Sequence, residues 1–172
     1  MLVTALAGVA AAHPVDELVQ GAYLTLKPGS VGLELDLTPG SEVAARVIGD
    51  IDANGDGALT GTEATDFARR VLDSSILTVN ATALEWELDD VQIPSLVDLS
   101  GAGGIVRIYA TAQRLDAEGT HELAYRNQYE PVKSEPTANI FLQNDDWTYK
   151  VISQQRGDAG QSLSVSYSAQ PK

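Results

Sequence analysis

The run V-G-L-E-L-D-L, from Val31 to Leu37, sets Val31, Leu33, Leu35 and Leu37 on one side of an extended chain and Gly32, Glu34 and Asp36 on the other. Successive side chains of a strand point to opposite faces, so a strict period of two means one buried and one wet face. Just before it, Ala22, Leu24 and Leu26 alternate with Tyr23 and Thr25, and Lys27-Pro28-Gly29-Ser30 supplies turn chemistry between the two runs. Together they predict a β-hairpin. The same period returns after Ser75. Leu77 and Val79 lead into a turn at Asn80-Ala81, and Leu84, Trp86 and Leu88 alternate with Glu85, Glu87 and Asp89 as one run. Val106, Ile108, Ala110 and Ala112 alternate with Arg107, Tyr109, Thr111 and Gln113, and a turn at Asp116–Gly119 precedes Leu123 and Tyr125. A polar, proline-bearing connection from Glu130 to Pro136 is followed by strands carrying Ile140 and Leu142, then Trp147, Tyr149 and Val151, then Leu163, Val165 and Tyr167. Many short alternating strands with turns between them predict a mainly β chain, folded as an antiparallel β-sandwich of the immunoglobulin-like kind.

Between the hairpin and Ser75 the period becomes helical. Pro39-Gly40 ends the second strand, and Ser41 reads as a helix N-cap with Glu42 in the first turn, where a negative charge suits the helix dipole. Val43, Val47, Ile48 and Ile51 form one stripe, on a helix of about three turns. Ala64, Phe67, Ala68, Val71 and Leu72 form another, with Asp66, Arg69 and Arg70 facing out. Residues 41–73 thus read as a helix–loop–helix inserted into a β-domain that spans residues 13–172.

The loop between these helices, Asp52 to Glu63, is D-A-N-G-D-G-A-L-T-G-T-E. Oxygen-bearing groups recur at every second place: Asp52, Asn54, Asp56, the Ala58 carbonyl and Thr60, closed by Glu63. Calcium is a hard cation that takes six to eight oxygens, and an EF-hand loop supplies them from positions one, three, five, seven, nine and twelve, with glycine at six. Here Gly57 is the sixth residue, free to take the left-handed backbone that turns the loop. An acidic turn would need neither Glu63 at the twelfth place, nor Leu59 at the eighth, nor a helical pattern on both sides. The expected cofactor is Ca²⁺, bound by Asp52, Asn54, Asp56, Ala58, Thr60 and Glu63 in an EF-hand.

No second loop is apparent. Asp89-Asp90 and Asn144-Asp145-Asp146 lack the alternating spacing, the central glycine and the closing glutamate, and they read as solvated turns. Sensor EF-hands work through a Met-rich groove, whereas the only methionine is Met1. A structural or ion-responsive site is expected. Asp52, Asp56 and Glu63 repel pairwise by about 4 kcal/mol at ~4 Å and an effective dielectric near 20, before screening. Calcium should order the loop and seat its helices.

The 172 residues, 44% hydrophobic, suffice for one packed domain. Lys plus Arg total 11 against 24 Asp plus Glu, a net charge of −13 that disfavours nucleic-acid and anionic-lipid partners. Without cysteine there is no thiolate zinc site and no Cys nucleophile. No G-x-S-x-G element or phosphate-cradling glycine loop is present, so no enzymatic role is expected. Residues 1–12, M-L-V-T-A-L-A-G-V-A-A-A, read as a secretory signal peptide whose start, with no Lys or Arg before the apolar run, is either clipped or misplaced; Ala10 and Ala12 precede the cut, and a buried N-terminal element is the alternative. The domain is then exported: periplasmic, on the cell surface or secreted. No other apolar run reaches the ~20 residues of a membrane span. Cleavage would leave His13 as the first residue. With its free amine, its imidazole and His121 it offers an alternative, an exported carrier of copper or nickel.

Finally, His13-Pro14-Val15-Asp16-Glu17, the L-E-L-D-L-T-P-G run from Leu33, Y-R-N-Q-Y-E-P-V from Tyr125 and the closing S-L-S-V-S-Y-S surround the embedded loop. In these segments the chain resembles the ectodomain of HupE/UreJ-type membrane proteins, over most of its length. The resemblance implies an extracytoplasmic β-rich domain attached to a membrane-embedded transporter portion concerned with nickel or related metals. Transport itself does not carry over, because these residues contain no membrane spans.

Overall fold

The computed structural model describes residues 15–101 and 103–172; the expected signal segment at 1–12 and His13 lie outside the described residues. The first hairpin forms as its alternation requires. Strand β1 (Leu18–Lys27) pairs antiparallel with β2 (Ser30–Pro39), Leu24 lying opposite Leu33. Gly29, at φ 76°, makes the turn. The chain then passes through two helices, α1 (Ala44–Ile51) and α2 (Gly61–Asp73), to β3 (Ser75–Val79) and β4 (Thr82–Leu84). There follow β5 (Glu87–Gln92), a short helix α3 (Leu96–Ser100), β6 (Val106–Gln113) and β7 (Gly119–Asn127). The last strands are β8 (Ser134–Leu142), β9 (Trp147–Gly157) and β10 (Ser162–Pro171).

The fold is mainly β, as expected, in two five-stranded sheets ordered β5-β6-β2-β1-β8 and β4-β3-β7-β10-β9. All pairings are antiparallel except that of β1 with β8, which is parallel with Leu24 opposite Ile140. Leu24, Leu26, Leu35 and Ile108 from the first sheet meet Leu77, Leu123, Val165 and Tyr167 from the second in one buried cluster. The two helices lie between β2 and β3 and so carry the chain from one sheet to the other. Val47 and Ile51 of α1 and Phe67, Ala68 and Val71 of α2 are buried in that same cluster. Both helical stripes are therefore buried, except that Val43 stands outside α1 and outside this cluster.

Several expectations are corrected. Ser41 does not cap α1: residues 41–43 form a turn, the N-cap is Val43, and Ala44 N–H donates to the Gly40 carbonyl at 3.0 Å. The helix has eight residues and about two turns, not three. The run Leu84–Trp86–Leu88 is not one strand. It leaves the second sheet after Leu84 and enters the first at Glu87, with the Trp86 indole N–H donating to the Ser75 carbonyl at 2.8 Å between them. Asp89 and Asp90 lie in β5, not in a turn. Pro136 lies within β8, an edge strand where its missing N–H leaves no ladder bond unmade. Helix α3 was not expected from the sequence; Ser95 caps it, its hydroxyl accepting from Asp98 N–H at 3.2 Å.

Two amides join the sheets inside the core. Gln20 of β1 and Asn127 of β7 are 1% and 4% exposed, and the Asn127 amide donates to Gln20 Oε1. Gln20 Nε2 donates to the Tyr129 carbonyl at 2.8 Å and to Ser134 Oγ at 3.1 Å, while Asn127 Oδ1 accepts from Tyr129 N–H at 3.0 Å. Removing one partner strands the other. Gln20→Leu and Asn127→Leu are each expected to lower unfolding free energy by about 1–3 kcal/mol. The double variant should lose clearly less than the sum. Urea unfolding of the four proteins measures this, and simple additivity would show that the two amides do not act as a unit.

Candidate metal centre

The loop from Asp52 to Glu63 begins where α1 ends. Asp52 is the C-cap, its N–H donating to the Ile48 carbonyl at 2.8 Å. Its carboxylate turns inward over the following residues. Oδ1 accepts from the N–H groups of Gly55 (2.8 Å) and Asp56 (3.1 Å), and Oδ2 accepts from Gly57 N–H (2.9 Å). Asn54 Oδ1 accepts from Asp56 N–H, and Asp56 Oδ1 from Ala58 N–H, each at 2.8 Å. Such local side-chain bonds are what Asp and Asn favour in tight turns. Gly55 and Gly57 have φ of 72° and 78°. A Cβ at either would meet nothing within 4 Å, so the demand for glycine is torsional, not steric.

The far end is closed by α2. Thr60 is its N-cap in a reciprocal capping box: Thr60 Oγ1 accepts from Glu63 N–H at 3.3 Å, and Glu63 Oε2 accepts from Thr60 N–H at 3.1 Å. The Thr60 hydroxyl also donates to Oε2 at 2.8 Å, and Asn54 N–H lies 3.5 Å from Oε1. Glu63 therefore ties the loop's third and ninth positions together from the first turn of the helix. These bonds, led by the Thr60 hydroxyl, hold its carboxyl below the ordinary glutamate range. Leu59 leaves the loop to pack against the core cluster, anchoring a segment otherwise exposed.

All six expected ligand residues lie in this one loop. Among the described residues, no three His, Cys, Asp or Glu side chains gather as a metal-holding group, so the carboxylates of Asp52, Asp56 and Glu63 share the loop without converging into one. The loop's donor set is mixed: three carboxylates, an amide, a hydroxyl and a main-chain carbonyl. Of the other expected candidates, His121 sits in β7 with Nδ1 2.9 Å from the Asn80 amide nitrogen and Nε2 2.8 Å from the Ala117 carbonyl. An amide nitrogen donates, so Nδ1 accepts there and Nε2–H donates to the carbonyl, which occupies both ring nitrogens.

Sequence reasoning missed the groups that brace the loop's base. The Arg70 guanidinium of α2 donates to the Asp50 carbonyl of α1 at 2.7 Å, and Arg46 lies 3.6 Å from the Asp50 carboxylate. Tyr129 stands edge-on to Phe67, 5.9 Å between ring centroids, with its hydroxyl 3.4 Å from Asp50 Oδ2. Burial, reinforced by Asp50, pushes the Tyr129 hydroxyl far above the ordinary tyrosine range, keeping it a neutral donor. Arg70 on α2's outer face looks like any solvated charge, so nothing in the sequence singled it out. No protein-family model matches the chain, and no curated protein matches it.

The lowered Glu63 value fixes the sign of a pH effect. A carboxyl held lower in the folded than in the unfolded state contributes stability that is complete above the unfolded value of 4.5 and lost as pH falls through the folded one. Glu63→Gln keeps the capping box, since glutamine serves at that position, but should lack this acid limb. Thr60→Ala should cost about 1 kcal/mol at neutral pH. Thermal melts in chelator from neutral to acid pH read both effects.

Proposed function

We propose that residues 52–63 are the calcium loop of a single EF-hand, and that calcium clamps the helical crossover of an extracytoplasmic β-domain. One observation carries the reading. The six-ligand spacing coincides with a loop that turns at Gly57 in the left-handed region and is closed by Glu63 from the first turn of α2. Asp52, Asn54, Asp56, Thr60 and Glu63 would hold the ion by side-chain oxygen and Ala58 by its carbonyl. The donor chemistry fits: all are hard oxygens, three are anionic, and Glu63 has two oxygens to offer. So large an oxygen shell favours calcium over magnesium. A structural role is favoured over a signalling one by the single loop and the lack of methionine among the described residues.

The wider setting extends the proposal. The resemblance of several segments to HupE/UreJ-type proteins supports an ectodomain serving a membrane-embedded transporter portion. Among the described residues, no helix is long and apolar enough to cross a membrane. Repeated passage of the chain between two sheets supports the immunoglobulin-like type of sandwich. A copper or nickel carrier built on His13 and His121 has less support, since both His121 ring nitrogens are engaged.

Calcium is expected to bind with heat and to raise the melting temperature. With a dissociation constant on the order of 10 µM and ~1 mM free ion, linkage adds roughly 2.7 kcal/mol. Glu63→Gln, which keeps the helix cap, should abolish the calcium-dependent shift. Calorimetry and melting in chelator, calcium and magnesium decide it: neither heat nor shift with calcium overturns the reading.

A further inference from the structure

The outer face of the first sheet carries a groove of about 660 Å³ that the calcium proposal leaves unused. It follows from the alternation that builds the core, since every residue between two buried ones on β1, β2 and β6 faces outward. In one row across these strands Tyr23, Glu34 and Tyr109 lie side by side; in the next lie Thr25, Gly32 and Thr111, with Phe141 of β8 beside Thr25. Gly32 has no side chain of its own, and the flexible end of Lys27 lies over it: a Cβ there would sit 3.7 Å from Lys27 Nζ and 3.9 Å from the Thr25 Cβ, in ordinary van der Waals contact.

Aromatic surface lines the depression on both sides. A Cβ on Gly21 would come within 3.0–3.2 Å of three atoms of the Tyr23 ring end, so Tyr23 lies back along β1 over that glycine. It remains 36% exposed, and Phe141, 54% exposed, stands 6.4 Å away at a 40° tilt. Tyr109 stands across β2. Among these rings are the Thr25 and Thr111 hydroxyls, the Gln143 amide, the Lys27 amine and the carboxylates of Glu34, Asp36 and Asp89. Asp89 accepts from Thr111 Oγ1 at 2.7 Å, and Asp36 stands against Arg107 at 3.4 Å. That contact is misaligned: Asp36 Oδ1, shut from solvent, receives no hydrogen bond. Lys27, Glu34 and Asp89 have no ion-pair partner among the described residues.

We infer that this groove binds a neutral saccharide. A pyranose ring has an apolar C–H face that suits an aromatic plane, and a rim of hydroxyls that both donate and accept. The groove offers both halves of that description, with one cation, Lys27, and two carboxylates, Glu34 and Asp89, outside any ion pair. An anionic ligand would meet three carboxylates, and a simple cation would meet Lys27. The volume falls within the range of small-molecule sites. The groove is open, which suits a length of chain more than an enclosed monomer and points to weak binding, with dissociation constants of roughly 0.1–10 mM.

The test is an NMR titration of the ¹⁵N-labelled protein with neutral trisaccharides of glucose (β-1,4 and α-1,4), N-acetylglucosamine, mannose and galactose. Each is run in chelator and in calcium, so that failure of the calcium reading does not touch the result. At least one trisaccharide is expected to shift resonances of β1, β2, β6 and β8 around Gly32. Tyr23→Ala should weaken it about tenfold or more, and Gly32→Val, a β-compatible change, should abolish it while leaving the melting temperature unchanged. Tetramethylammonium and glutarate serve as cationic and anionic controls. The inference is overturned by no shift from any trisaccharide up to tens of millimolar, by shifts that survive Gly32→Val, or by a control ion binding the groove in their place.

Discussion

Gln20 and Asn127 are buried where the start of β1 meets the end of β7, and their mutual hydrogen bond is the constraint on which the arrangement of the two sheets rests. A buried amide carries donors and acceptors that are costly to leave unmet. Here they are met only when the start of β1, the end of β7 and the segment from Tyr129 to Ser134 come together. Hydrophobic burial alone would tolerate small slips of one sheet over the other; this hydrogen-bonded set does not. Its influence extends outward, because the same contacts fix Tyr129, whose ring braces Phe67 and whose hydroxyl faces Asp50 at the foot of the loop. The candidate metal centre, exposed as it is, is thus held at its base by groups that belong to the core.

The crossover adds a second constraint. Two amphipathic helices carry the chain between sheets, so their apolar stripes must be buried in the core while their connecting loop faces water. Leu59 marks the boundary, being the loop residue that packs inward. Arg70, reaching from α2 to the Asp50 carbonyl, and the capping box at Thr60 and Glu63 set the distance between the helix ends. An ion held at the loop would act on this joint and leave the rest of the core untouched.

Most of the strands were legible because burial on one face imposes a period of two, and β1, β2, β6, β7 and β10 each obey it. The helical stripes were legible for the matching reason at a period of 3.6. What escaped reading depends on partners distant in sequence. Leu84–Trp86–Leu88 alternates without a break, yet crosses between sheets, because alternation records burial and not which sheet does the burying. Pro136 suggested a connection; only the edge position of β8 makes it acceptable in a strand. Ser41 had the right chemistry for a cap, but the Gly40 carbonyl starts the turn instead. For the loop, spacing alone named all six candidate ligands, since that chemistry is local. Asp50, Tyr129 and Gln20 could not be found this way, since their roles exist only in three dimensions.

The parallel pairing of β1 with β8 has a consequence for how the chain comes to fold. The Thr137 hydroxyl donates to the Gln20 carbonyl across 117 positions, and Asn127 meets Gln20 across 107. Contacts so remote must be closed against a large loss of chain entropy before they return any stability. During synthesis the first hairpin can form early, but its β2 flank waits for β6 and its β1 flank stays unpaired until β8 has emerged. Folding of this domain should be slow and late, gated by the arrival of its own eighth strand.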